Sequence, residues 1–303
     1  TSIKQNKKLT EFTSYYTSSF FDDVRALNIL PAHHYPKATD FVAQMIGMIE
    51  SLESEGFTYS TNDGSVFFKI SKFKNYGHLS NLNPDNLKKG ERVLNDEYEK
   101  EEMRDFALWK GYKKADGDVF WDSPWGKGRP GWHIECSAMS MHYLGSHFDI
   151  HCGGVDNIFP HHENEIAQSV CSSGDKFVNY WIHNEHLLVD GQKMSKSEGN
   201  FYTIRDLLNK NFSPESIRYT LLTTHYRQKL NFTLEKLEAS QKAINRLREL
   251  KRRLLEVGLK KSIDNSFISD SKKMLNEFAV CLGDDLNISG AMGALFKWVS
   301  KLF

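Results

Sequence analysis

Apolar positions in the opening stretch, to about Glu55, recur at helical spacing: Phe12, Tyr15, Tyr16, Phe20, Val24 and Leu27 lie along one side before a break at Pro31 to Pro36. The pattern predicts two packing helices. From Gly56 the period shortens to alternate residues, and FTYSTNDGSVFFKI sets Asp63-Gly64 between two β-rich runs, which predicts a hairpin. Residues 80–118 then turn polar, with the charge run EYEKEEMRD, and read as a solvated insertion or loop. From Val119 short apolar segments (FDIHCGGV, VNYWIH, HLLVD) alternate with helical ones, the texture of strands and crossover helices in a parallel α/β sheet. After Asn200 the chain reads as helical almost throughout. Its longest helix, about Thr233 to Val257, carries Leu237, Ile244, Leu247, Leu250 and Leu254 along one side.

Composition narrows the class. The 303 residues hold 39 Lys+Arg against 39 Asp+Glu, which excludes a polybasic nucleic-acid coat. A hydrophobic fraction of 40% with 13% aromatics is enough to bury a core and excludes a disordered chain. The length suggests two or three modules. No apolar run approaches the ~20 residues that cross a bilayer, and the first residues lack an apolar signal core, so a soluble, cytoplasmic protein without a membrane partner is expected. Four cysteines, Cys136, Cys152, Cys171 and Cys281, are spaced unlike a disulfide framework and read as ligands or core thiols. Charge departs from balance in one place: Lys236 to Lys261 holds nine Lys/Arg and three Glu, a local net of +6. A solvated helix face explains this most simply, and contact with a phosphate backbone is the alternative.

Candidate chemistry gathers between Val119 and Asn200. His161 and Glu165 in FPHHENEIAQS are four apart, so on a helix they share a face. Cys136 in GWHIECSAM would add a thiolate, completing a set that suits zinc. A lone His-x-x-x-Glu pair is more often a surface pair. His162 could replace His161, although only His161 stands in register with Glu165. Lys193-Met194-Ser195-Lys196-Ser197, followed by Glu198-Gly199-Asn200, is a sharper signal. Two lysines in a Ser-rich, Gly-bounded loop can bring point charges to a polyphosphate as charge moves to the leaving group. Gly153-Gly154-Val155-Asp156 follows an apolar segment, where doubly wound sheets bind nucleotides and an acidic side chain takes ribose hydroxyls; alone it is a turn in most proteins.

The strings GWHIECSAM, FDIHCGGVDNIFPHHENEIAQS, NYWIH and KMSKSEGN resemble the second half of the catalytic domain of the cysteinyl-tRNA synthetase family, which is class I. ALNIL, YGHLS, DFALWK and HYRQKLNF extend the resemblance over nearly the whole chain. The resemblance implies an α/β Rossmann-type parallel-sheet catalytic domain. Residues 1–118 would hold helices and the connective region between catalytic halves, 119–200 the second Rossmann half, and 201–303 a stem-contact and helical-bundle region. It implies one zinc per chain, with Cys136, His161 and Glu165 as three of four ligands and Trp132 lining the cysteine pocket. Gly153 and Asp156 match nucleotide-binding positions, Lys196 matches the ATP-contacting lysine, and Lys193 joins it in catalysis. ATP with Mg2+, L-cysteine and tRNA(Cys) follow as expected partners of a monomer. Zinc would bind the substrate thiolate directly, so that selectivity needs no editing domain.

The family's amino-terminal half, with a His-x-Gly-His signature and a first zinc cysteine, has no counterpart in this sequence. His78 in NYGHLS is a decoy, since it falls in the connective segment. The carboxyl end stops inside the helical region, so an incomplete record of a longer protein is expected, unable as written to form a whole active site. Cys152, where the family commonly has Gly, reads as a packed neighbour of the site rather than a substitute ligand. Two rivals stand: a mycothiol-pathway ligase that couples cysteine to an amino sugar, and a non-catalytic RNA-binding remnant.

Overall fold

The computed structural model describes residues 9–81, 105–195, 198–257 and 265–302, which fall into two compact units, His33–His183 and residues 1–32 with 184–303.

In the unit His33–His183, α2 (Val42–Ser54) follows α1 (Leu9–Ala26) of the other unit and buries Val42, Met45, Ile49 and Leu52, spaced three or four apart on one face. The expected hairpin follows. β1 (Thr58–Ser60) pairs antiparallel with β2 (Val66–Phe68), Thr58 opposite Phe68 and Ser60 opposite Val66. In its turn the Asp63 carboxylate accepts from Thr61 Oγ1 at 2.6 Å and from the Ser65 amide at 3.0 Å, and Gly64 takes φ +81, where a side chain would be strained.

β3 (Phe106–Gly111) adds to β2 and β4 (Gly128–Pro130) to β3, both antiparallel. This corrects the reading of 80–118 as a solvated insertion: Phe106, Ala107, Leu108 and Trp109 are buried, and Phe106, Leu108 and Trp109 share one core with Ile49, Phe68 and Ile134. The polar neighbours of DFALWK dilute its signal in any window average. Residues 82–104, which carry most of the charge run, lie outside the described residues.

The α/β part follows the sheet. α3 (Trp132–Leu144), β5 (Phe148–Gly154), α4 (Glu163–Ser173) and β6 (Val178–Asn184) run in that order; β5 hydrogen-bonds to β6, and α3 packs on α4. Ile134, Ala138 and Ala167 turn from these helices into the core beneath α2.

The other unit has its own core of Leu27, Val189, Leu207, Ile217, Phe232 and Leu237. β7 (Leu187–Val189) pairs antiparallel with β8 (Gln192–Lys193) and parallel with β9 (Leu230–Phe232). α5 (Ile204–Asn209) is capped by Thr203, whose Oγ1 accepts from the Asp206 amide, and α6 (Pro214–Leu222) by Ser213 with Pro214 in its first turn. α7 (Leu234–Val257), α8 (Asn265–Gly283) and α9 (Ile288–Val299) bear out the helical reading, and α8 packs on α9. The apolar stripe of α7 is covered at Leu237 and Leu250 and exposed at Leu254. Part of its basic face is paired: Arg248 reaches Glu215, Arg252 reaches Glu249 and Glu256, and Arg253 reaches Glu249. The Arg252 and Arg253 guanidinium groups hold the Glu249 carboxyl down to about 2. Lys260 and Lys261 lie outside the described residues.

Candidate metal centre

The connection from β5 to α4 delivers the acidic and imidazole ligands. After Gly154 the chain makes a tight 3-10 turn (Val155–Asn157) and a wide turn (Ile158–His162) that feeds α4, so His161 stands one turn ahead of Glu165. α3 starts at Trp132 and carries Cys136 against the same place. Candidate ligand atoms of Cys136, His161 and Glu165 all lie within 4.8 Å of one another. The pair is no surface pair: His161 is 5% exposed and Glu165 not at all.

The chemistry of the group favours a cation. Glu165 Oε1 lies 2.7 Å from His161 Nε2, yet neither carboxylate oxygen accepts a hydrogen bond, an expensive state for a buried carboxylate. The Cys136 thiol is pushed up to about 12, first by burial and then by the charges of Glu165 and Glu135. A metal ion would satisfy the carboxylate and stabilise the thiolate together, and sulfur, nitrogen and oxygen donors in this combination fit zinc.

Sequence reasoning missed most of the surrounding imidazoles. His133 Nδ1 lies 2.9 Å from His161 Nδ1, and the half-exposed Trp132 ring sits over His161 at 4.3 Å. His151, His162 and Glu165 form a second group of candidate ligands within 4.8 Å. His162 Nδ1 lies 2.8 Å from His183 Nε2, and burial followed by the charges of His151, His183 and His161 lowers the His162 ring to about 3. A signal was present in FDIHC and NYWIH, each of which carries one histidine within a strand, but single histidines in strands are commonplace.

Gly153 at the end of β5 has a packing reason, whereas Gly154 faces only the movable end of a side chain. A Cβ on Gly153 would fall 2.6 Å from His162 Cε1, and one on Gly154 would fall 2.4 Å from Asp156 Oδ1. Asp156 itself is exposed. Cys152 corrects the expectation: strand alternation turns it outward, exposed, and it belongs to neither ligand group. His78 is exposed and likewise outside both groups, although its loop is held: buried Glu163 accepts from the Gly77 and Ser80 amides, and Tyr76 donates to Asn164.

In the other unit, Lys193 ends β8, exposed. Asn200 closes the loop after it: its Oδ1 accepts from the Ser195 amide at 2.8 Å, and its Nδ2 donates to Val189 and Lys193 carbonyls at 3.2 Å. The sequence reading gave Asn200 no role. Lys196 and Ser197 lie outside the described residues.

Residues 1–242 match the family described as tRNA synthetases class I (C) catalytic domain. The chain belongs to that family. Among relatives of this class I (C) chain, a cysteine-tRNA ligase of Brachyspira hyodysenteriae (strain ATCC 49526 / WA1) is 54% identical over 308 residues, covering 99% of this chain and 65% of its own length. One of Chlamydia caviae is 52% identical, covering 98% and 63%. The chain thus spans just under two thirds of the length of these curated relatives. Two solved structures share the class I fold at 15% identity. A Mycobacterium tuberculosis methionyl-tRNA synthetase in complex with methionyl-adenylate has a TM-score of 0.69, covering 99% of this chain and 71% of its own. A putative arginyl tRNA synthetase of Campylobacter jejuni has 0.55, covering 93% and 56%.

Proposed function

We propose that this class I chain carries the cysteine-selecting and phosphate-handling parts of an ATP-dependent cysteine-tRNA ligase. The full protein would activate L-cysteine with ATP and Mg2+ to cysteinyl-adenylate, then transfer it to tRNA(Cys), as a cytoplasmic monomer. The observation that carries the reading is the trio Cys136, His161 and Glu165, with a buried carboxylate that accepts no hydrogen bond, in a chain about half identical to cysteine-tRNA ligases.

Cys136, His161 and Glu165 would hold zinc; when bound it supplies a Lewis-acidic position for the substrate thiolate, which a serine hydroxyl matches poorly. Trp132 walls that position over His161 and limits the side chain that fits. Gly153 lets the backbone at the end of β5 lie against the nucleotide, and Asp156 accepts from ribose hydroxyls. Lys193 and Lys196 neutralise charge that builds on the departing pyrophosphate. In this reading residues 119–200 form the second catalytic half, between a connective region to 118 and a stem-contact and helical region from 201.

ATP-pyrophosphate exchange by the full-length protein, with cysteine and with serine, tests the assignment, and charging of tRNA(Cys) tests the acceptor. Exchange stimulated by cysteine alone, with charged tRNA as product, is expected. Equal exchange with serine would overturn the role of the metal trio, and transfer to an amino sugar in place of tRNA would overturn the acceptor.

A further inference from the structure

We propose that His151, His162 and Glu165 form a second seat for a divalent first-row metal ion, beside the trio Cys136, His161 and Glu165 and sharing Glu165 with it. The proposal extends the metal reading above and can fail separately from it.

Glu165 is the reason to look for two ions. It is fully buried, and its two oxygens face different groups: Oε1 lies 2.7 Å from His161 Nε2, Oε2 3.3 Å from His151 Nε2. Neither accepts a hydrogen bond. An ion at the first trio that takes Oε1 leaves Oε2 buried with only the 3.3 Å contact to His151 and no hydrogen bond, and a buried acceptor without a hydrogen bond costs stability. A cation between Oε2, His151 and His162 supplies that partner.

Both imidazoles are held as ligands need to be. His162 is 2% exposed; its ring is fixed on one side by His183 at 2.8 Å and on the other by the bare Cα of Gly153, where any Cβ would collide with it. His151 lies against the Trp181 ring, centroids 4.7 Å apart and 29° from coplanar. Ligating histidines are normally oriented by just such neighbours on the ring's other nitrogen and faces. Two imidazoles and a carboxylate suit Zn2+, Co2+ or Fe2+ and disfavour Mg2+ and Ca2+, which prefer all-oxygen shells. Two dications on one carboxylate repel, so the seat with the thiolate fills first and the second is weaker.

Cobalt separates the two seats, because only the one with Cys136 gives a thiolate-to-cobalt charge-transfer band. Metal-free full-length protein is titrated with Co2+ and followed by absorbance and calorimetry. The expected result is one equivalent that raises the band, then a second that does not, at least ~10-fold weaker. His151→Gln should weaken the second equivalent ~10-fold or more, and His151→Ala with His162→Ala should abolish it; both should leave the band. Cys136→Ser should weaken the ion that raises the band ~10-fold or more and leave the affinity of the other ion unchanged. Saturation at one equivalent up to millimolar cobalt overturns the second seat, as does a second equivalent that survives in His151→Gln and in the double variant. If the double variant does not fold, His151→Gln decides alone. Binding without any band would overturn the first trio while leaving the second seat in place, and no binding at all would overturn both.

Discussion

The ligand cluster around Glu165 and the loop that begins at Lys193 both serve the proposed reaction, and the chain builds them by opposite means. In the cluster, Cys136, His161 and Glu165 come from two packed helices and the turn before one of them, and the Trp132 and His133 rings lie against His161. In the loop, Lys193 is exposed at the end of a two-residue strand, and the Asn200 side chain bonds the Ser195 amide and the Val189 and Lys193 carbonyls. The difference follows from the tasks. Telling a thiol from a hydroxyl needs donors fixed to within about 0.5 Å, whereas following charge onto a leaving phosphate needs a long, flexible cation.

The largest effect should come from breaking the rigid side. Cys136→Ser or Glu165→Gln in the full-length protein should lower bound zinc well below one per chain and reduce cysteine-dependent exchange by more than about 100-fold, since removing even a partner outside the ligand shell typically costs 10- to 100-fold. Metal analysis beside exchange rates checks this. Full activity without zinc would remove the contrast altogether. Next comes Lys196→Ala, which should slow exchange by about 100-fold while the cysteine KM stays within a few-fold, because the lysine acts on charge developed in the transition state. A raised cysteine KM at unchanged rate would place the lysine in substrate binding instead.

A smaller effect sharpens the same contrast inside the loop. Asn200→Ala removes one acceptor and two donors that close residues 189–200, at about 0.5–1.5 kcal/mol per hydrogen bond, so exchange should fall about 10-fold, with the ATP KM rising and bound zinc unchanged. Steady-state kinetics at varied ATP and a metal assay read both. A fall in bound zinc in this variant would show that the two regions are not independent.

What the sequence disclosed follows the same division. The grouping of Cys136, His161 and Glu165 was legible in part, because two of its members stand four apart and the third sits in a Gly-Trp-rich turn, although the pair alone is more often a surface pair. The lysine loop was legible as a string. The imidazoles His133, His151 and His183 were not, since their meeting depends on β5, β6, α3 and α4 coming together, and nothing local marks a histidine as one of five. β3 was hidden for a different reason: four buried residues sit beside a charge run that dominates any average over the window. Cys152 was misjudged because its neighbours carry the chemistry, while a strand sends alternate residues to opposite faces.

The smallest effect is expected on α7. The local net of +6 reads most simply as a solvated face, with phosphate contact as the alternative, and Arg248, Arg252 and Arg253 already face Glu215, Glu249 and Glu256. Paired guanidinium groups must give up a carboxylate to meet a phosphate, so each offers little net gain, whereas Lys242 and Lys251 carry no ion pair among the described residues. Reversing Lys242 and Lys251 should therefore flatten the dependence of tRNA affinity on salt by about 0.7–0.9 in log-log slope for each phosphate no longer neutralised, and reversing Arg252 should change it less. Steps that need no tRNA, such as cysteine-dependent exchange, should not respond to either change. Binding of tRNA at several salt concentrations decides the matter. Equal slopes for all variants would leave α7 as a solvated face, and an effect of Arg252 larger than that of the lysines would mean that its ion pairs open on binding.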